Sequence, residues 1–558
     1  MSKRISPKLF GRATRGLLAV ALVAGASACT AHDAGGGGGD AALRLAAVAS
    51  GPFTNQFNPL LQASKDAAGD AQVYLYEPLL MNDMKRATAE PWLVSKYTWS
   101  NGGKTLTLKL RPDLKWSDGR PLTAEDVAFT FELMRQHDAL NFYTLPLAGA
   151  SAPASDTAVV TFTRPAYQDE WWDTTPVPKH VWSSVPDPVK YTNPNPVTSG
   201  PFTLKTFTSQ VITMQRNPHY WGKAPKVQTL QLLSYDSANS MVSALRGGQV
   251  DWITPQVSDP ARIAKLAPSK IGYWVTDMSP ATIYLVPNNA QYPLSLAPVR
   301  HAISQAIDRG NTSKLAFGGM NGPVESPTGL DLGKWAKLIP AKYRDVTVGS
   351  GDPAEAKKTL ESAGFTLKDG IFTTSSGTPL RFTITVPTSS PYGDLVRAAT
   401  VISQQLKATG IDVTVKSEAP VAWRTDIGKG EYQLALRAVG GNLSIHGLYN
   451  TIFSQKLKPV GKTAKQNFER YKNPQAQQLL DRYAASAPGS PEESAAAGGL
   501  AALMVEDAPV IPLFHVAYFG LWRSDRFTGW PSDGNAYALP IGGHINAVKV
   551  ALAVSPSN

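Results

Sequence analysis

LRFTITVP (380–387) and AATVISQQLKATGIDVTVKS (398–417) decide the fold class. In the first, apolar and polar residues alternate with the period of a half-buried strand. The second opens as a helix closed by Gly410 and runs directly into IDVTVKS, a second strand-like stretch. Just upstream, AEAKKTLESAGF (354–365) reads as another helix, closed by Gly364, and leads through a turn into LRFTITVP. Helices and strands that alternate in this way through the C-terminal half point to an α/β architecture.

Working outward, PVRHAISQAID carries Val299, Ala302, Ile303, Ala306 and Ile307 on one helical stripe. In the N-terminal half, KTLTLKLRPDLKWS (104–117) places Leu106, Leu108 and Leu110 on one face of a strand, and Asp118-Gly119 marks a turn. PLTAEDVAFTFELM follows, with Thr123 suited to an N-cap and Asp126 to the reciprocal position of a capping box. Glu125 and Asp126 sit where the helix dipole favours acids, which accounts for them without catalysis. ALRLAAVAS from Ala41 reads as the first strand of the body, and FTLKTFTSQVITMQRN as two strands around a turn. Residues 174–201, rich in proline, read as a long connection with short ordered pieces. There is no internal repeat.

The chain has 558 residues, enough for about three domains, and its 43% hydrophobic and 17% charged content is that of a globular protein. Its formal charge is +11, and five of the basic residues (Lys3, Arg4, Lys8, Arg12 and Arg15) lie at the start. The remaining excess suits an anionic cell surface or is an ordinary basic surface. No basic stripe or zinc pattern marks a nucleic-acid binder. The histidines form no HxxxH pair and there is no G-x-S-x-G elbow, so no enzyme site has local support. VGKT (460–463) imitates the end of a phosphate loop but lacks the glycine five positions before Gly461, where Lys456 stands.

The basic start, the apolar run Leu17–Ala24 and the small residues up to Ala28 have the layout of a secretory leader, residues 1–28. Cys29 is the only cysteine, so disulfides are excluded, and the glycines 35–39 behind it read as a flexible tether, residues 29–40. Ser27-Ala28-Cys29 resembles the lipobox of bacterial lipoproteins. That resemblance implies a lipid on Cys29, with Ala26 standing where leucine is usual.

Several segments, taken in order, resemble the family 5 extracellular solute-binding proteins of ABC importers, the peptide- and nickel-binding type. They are YLYEPLL (74–80), PWLVSKYTWSNGGKTLTLKLRPDLKWSDGRPLTAEDVAFTFELM (91–134), NPVTSGPFTLKTF and RNPHYWGKAPKVQTLQL, followed by ALRGGQVDW (244–252), VRHAISQAIDRG (299–310) and EDAPVIPLFHV (506–516). The resemblance implies a type II periplasmic-binding-protein fold, with two lobes, a hinge and an extra domain. Lobe I would be built from about 41–75, 190–280 and 510–558, the extra domain from 76–189 and lobe II from 281–509. The chain would cross between lobes near 279–284 and 507–513. Hinge closure would capture the ligand. The expected role is that of a receptor without chemistry or cofactor, a monomer on the outer face of the bacterial cytoplasmic membrane that delivers solute to a permease and its ATPase.

Peptide-binding members hold the peptide ammonium with an aspartate past a tryptophan-containing segment. Here Trp423 matches the tryptophan, while the aspartate position falls on Asn442, a second tryptophan on Val439 and an occasional acid on Val286. A buried ammonium needs a paired charge, and Asn442 supplies only a hydrogen bond. Peptide is the expected ligand class. An oligosaccharide or other neutral solute, which needs no countercharge, is the alternative in the same receptor role, an enzyme or surface adhesin on this scaffold is a further one, and nickel lacks a local histidine cluster. Ser64, Tyr284, Trp423, Asn442 and His446 are the candidate ligand contacts.

Overall fold

The alternation read in the C-terminal half is a five-stranded sheet in the computed structural model. That model describes residues 42–557 apart from 48–51, 62–63, 65–67, 69–70, 84–87, 255–256, 258, 277–280, 389, 391–393, 441–443 and 545. The leader, Cys29, the tether and Asn442 therefore lie outside the described residues. The sheet order is Asp412–Glu418, Arg381–Pro387, Leu434–Gly440, Ala281–Pro287, Ile511–His515. The first three strands are parallel, and Ala281–Pro287 runs antiparallel to both of its neighbours. Helices Ala297–Ala306 and Leu395–Ala408 bury their apolar stripes on one face, where Val299, Ile303, Ile402 and Leu406 are inaccessible to solvent. Gly364 and Gly410 close their helices at φ +85°, a left-handed conformation that glycine adopts without Cβ strain.

A second sheet has seven strands, in the order Ile271–Thr276, Tyr518–Arg523, Trp252–Ile253, Leu43–Ala47, Thr229–Ser234, Val211–Arg216, Phe202–Phe207. The third, Val94–Ser100, Thr105–Leu110, Thr157–Phe162 and Leu147–Ala154, carries the helix Ala124–Gln136. Leu106, Leu108 and Leu110 pack with Val127, Phe131 and Met134 in its core. The capping box forms as expected. Asp126 accepts from the Thr123 amide at 2.9 Å, and also from Trp116 Nε1 at 3.2 Å and the Lys179 amide at 2.8 Å. Each of these bonds holds the domain together, so Asp126 is a structural acid.

Thr276 ends a strand of the seven-stranded sheet and Ala281 begins one of the five-stranded sheet, and the chain returns to the seven-stranded sheet at 516–517. The second passage differs from the expectation of 507–513. Ile511–His515 pairs antiparallel with Ala281–Pro287, with His515 opposite Thr282 and Ile511 opposite Leu285. It therefore belongs to the five-stranded sheet, and sheet membership changes after His515 rather than at 510. Asp507 lies at the opposite end of that sheet from the passage. Among the described residues no helix is long and apolar enough to cross a membrane.

Candidate functional site

Strand direction locates the cleft. Gly440 stands opposite Ala281, at the passage, so the parallel strands Leu434–Gly440, Arg381–Pro387 and Asp412–Glu418 all aim their carboxyl ends there. In the seven-stranded sheet Thr276 pairs with Tyr518 at its own passage, and Leu43–Ala47, Thr229–Ser234 and Trp252–Ile253 run the same way. Ligands of open α/β sheets bind outside the carboxyl ends of strands. Here two such ends face one another across two connecting segments.

On the five-stranded side a cavity of about 320 Å³ opens at this edge, lined by Pro387, Pro420, Trp423, Arg424, Arg437 and Phe468 among others. Trp423 and Ile427 lie four apart on the helix Pro420–Lys429, so both reach the same wall. Trp423 is half-buried, and its Nε1 is buried without a hydrogen-bond partner. The Arg437 guanidinium lies 4.3 Å from the centre of the Phe468 ring. Behind Phe468, Glu469 is fully buried, and burial pushes its carboxyl up to about 8 against the pull of Arg437 and Arg470. Among the described residues no carboxylate lines this cavity.

The extra domain contacts the five-stranded unit. Gln168 donates from Nε2 to Glu493 Oε1 at 3.1 Å, bridging to the helix Pro491–Asp507. Glu493 is buried and also accepts from the Gly489 amide at 2.6 Å and from the Tyr483 hydroxyl at 3.3 Å. His446, second residue of the helix Ile445–Phe453, lies parallel to Tyr483 at 6.3 Å between ring centres. Burial lowers its pKa, and Asp169 of the extra domain opposes that shift.

The five candidate contacts separate. Trp423 lines the cavity, and His446 stands where the extra domain meets the five-stranded unit. Tyr284 does not face a cleft. It is fully buried among Tyr449, Ile445 and Val286, and its hydroxyl donates to the Gly329 carbonyl at 3.4 Å. All seven residues of Ala281–Pro287 are buried, so nearness to the hinge did not bring solvent access. Ser64 is buried with its Oγ unpartnered, and Asn442 lies outside the described residues. Sequence reading missed Arg424, Arg437 and Phe468. Only the spacing of Arg424 to Trp423 was visible, because Phe468 comes from an aperiodic connection. VGKT makes no phosphate cradle, because the Gly461 and Lys462 amides donate to the carbonyls of Lys429 and Pro459.

Two motifs far apart in sequence meet in one buried joint. Glu77 of YLYEPLL accepts from the Tyr220 hydroxyl at 2.7 Å and from Trp221 Nε1 at 2.5 Å, both from the NPHYW segment. Burial pushes the Glu77 carboxyl up to about 7, although these bonds pull the other way.

Two facing α/β sheets with a double crossing, a cleft at their strand ends and an added domain define a two-lobed solute-binding protein. The chain belongs to the bacterial extracellular solute-binding proteins, family 5, whose model matches residues 88–457. It is 25% identical over 440 residues to the oligopeptide-binding protein AppA of Bacillus subtilis, covering 75% of this chain and 77% of that one. Identity to Protein XP55 of Streptomyces lividans is 27% over 475 residues, covering 83% and 82%. Among solved structures, a periplasmic oligopeptide-binding protein of Thermotoga maritima superposes with a TM-score of 0.83 at 26% identity, covering 92% and 99%. Its mannohexaose-bound form gives 0.76 at 27% identity, covering 93% and 99%.

Proposed function

We propose that this chain is the receptor of an ABC importer, held at the outer face of the membrane by a lipid on Cys29, and that it captures oligopeptides for a permease and its ATPase. The named relatives support the transport role. Within the cleft, the observation that carries the reading is the cavity at the strand ends, where Trp423 offers an unpartnered indole donor beside Arg424 and Phe468. A donor-rich wall with no carboxylate among its described residues suits peptide carbonyls and a terminal carboxylate better than a terminal ammonium. The ligand would then be held by its backbone, its apolar side chains and its carboxyl end. Gln168 and His446 bring the extra domain against the same lobe and would enclose it.

A second reading, an oligosaccharide, is favoured by the same wall. Flat aromatic faces with hydrogen-bonding neighbours and no countercharge suit sugar rings, and a relative has been solved with mannohexaose. Native mass spectrometry of the protein purified without refolding would separate the two. Peptide masses copurifying at one per chain support the first reading, and hexose ladders the second. Turnover of any bound molecule would argue against a receptor.

A further inference from the structure

At the end of the five-stranded sheet opposite the cleft lies a depression of about 700 Å³. Pro287 ends its strand there, and Asp507 precedes the returning one. Arg300, Lys458, Arg470 and Lys472 line the depression against a single carboxylate, Asp507. That carboxylate is already engaged by the Tyr471 hydroxyl and, at 3.4 Å, by Asn473 Nδ2.

The two arginines are placed unusually. Arg300 is 3% exposed and Arg470 5%, and neither forms an ion pair among the described residues. Arg300 donates to the carbonyls of Asp507, Ala508 and Leu294 at 2.6–3.1 Å. Arg470 uses its two Nη groups on the carbonyls of Asn467, Phe468, Gly428 and Lys462, and its Nε has no partner. Carbonyl dipoles hold these cations in place, while Asp507 acts on Arg300 and Glu469 on Arg470 from beyond ion-pair distance, and a buried charge without a paired partner is disfavoured. Five exposed lysines, 456, 458, 462, 465 and 472, lie on the connection 454–473 that forms the rim. None of them makes an ion pair among the described residues.

We propose that this pole is a second binding site, separate from the solute cleft, which takes a phosphate-type oxyanion from a free phosphate species or an anionic lipid headgroup. Buried Arg300 and Arg470 supply the fixed positive field, and Lys458 and Lys472 the adaptable rim. Guanidinium and ammonium groups are the donors that bind phosphate oxygens most strongly.

The test uses the full chain carrying Cys29→Ala, so that no attached lipid contributes. Two probes are applied, inorganic phosphate followed by phosphorus-31 line broadening, and phosphatidylglycerol/phosphatidylcholine vesicles followed by co-sedimentation against pure phosphatidylcholine. Lys458→Glu/Lys472→Glu alters exposed rim residues and leaves the buried arginines in place. It should weaken binding on the order of thirtyfold. Arg246→Glu/Lys270→Glu, the same charge change on the seven-stranded lobe, should leave it within about threefold. Response to phosphate assigns a free anion, and response to the acidic vesicles alone assigns a headgroup. Failure of both probes, or equal loss in the two double variants, overturns the site.

Discussion

Glu77→Gln tests whether the joint between the two family motifs is held by a buried acid whose proton is bound more tightly in the folded protein. An acid whose folded pKa stands above its unfolded value binds its proton more tightly in the folded protein. Its contribution to stability is therefore fully present below about 4.5 and is lost as pH rises through about 7. Between pH 5 and pH 8 this one group should cost the wild type about 2–3 kcal/mol. Glutamine keeps the joint bonded. Its carbonyl can accept from Trp221 Nε1, and its amide can donate to the Tyr220 oxygen, because a hydroxyl rotates to suit. It should therefore fold within about 1 kcal/mol of wild type at pH 5 and stand above it at pH 8. Glu77→Ala strands both donors and leaves a cavity, and should lose about 3–5 kcal/mol at either pH. Urea unfolding at the two pH values measures all three. Glu170 and Glu469, pushed up to about 7 and about 8, act in the same direction in every variant, so the comparison cancels them. Equal pH sensitivity in wild type and Glu77→Gln would refute the reasoning.

Gln168→Ala removes a bond to a buried carboxylate and should weaken ligand binding about tenfold by calorimetry if that contact belongs to the closed form. Unchanged affinity would make it a resting contact only. Trp423→Phe keeps a flat face and loses the indole donor, which should cost about 1 kcal/mol of binding, and Trp423→Ala should cost more. No loss in either variant would move the cleft elsewhere. Cys29→Ala should release the protein into the medium on cell fractionation, and retention equal to wild type would end the anchor proposal. Asn442→Asp should tighten free-amine peptides about tenfold and weaken neutral sugars, and equal affinities would show that the residue does not touch ligand.

Sequence was most informative where one face of an element meets solvent and the other meets core. The period-two leucines 106, 108 and 110 and the capped helix that follows are of this kind, and they hold one core together. It was silent where both faces are buried. Along Ala281–Pro287 every residue is inaccessible, so periodicity could not tell a cleft-facing tyrosine from a core one. The return of Ile511–His515 into the same sheet was also hidden, because pairing with Ala281–Pro287 joins residues more than two hundred apart in the chain. Phe468 and Arg437 meet through a connection without a repeat, and no local pattern announces that contact.

The same division bears on ligand choice. Residues that carry the family resemblance are committed to joints: Glu77 to Tyr220 and Trp221, Asp126 to its own helix cap and to Trp116. They fix how the units are joined and cannot report on the solute. Two of the departures from the peptide-binding pattern fall among the described residues. Val439 is 3% exposed and Val286 1%, and both pack in the core with Tyr284, so their change from tryptophan and acid alters packing rather than the cleft. Asn442, two positions after Gly440 in the sequence, lies outside the described residues. Neither buried valine can change the charge presented to a ligand. Among the described residues of the cavity, Arg424 and Arg437 carry charges that disfavour a free amine, so the choice between an ammonium-bearing peptide and a ligand without that charge turns on the outcome of Asn442→Asp.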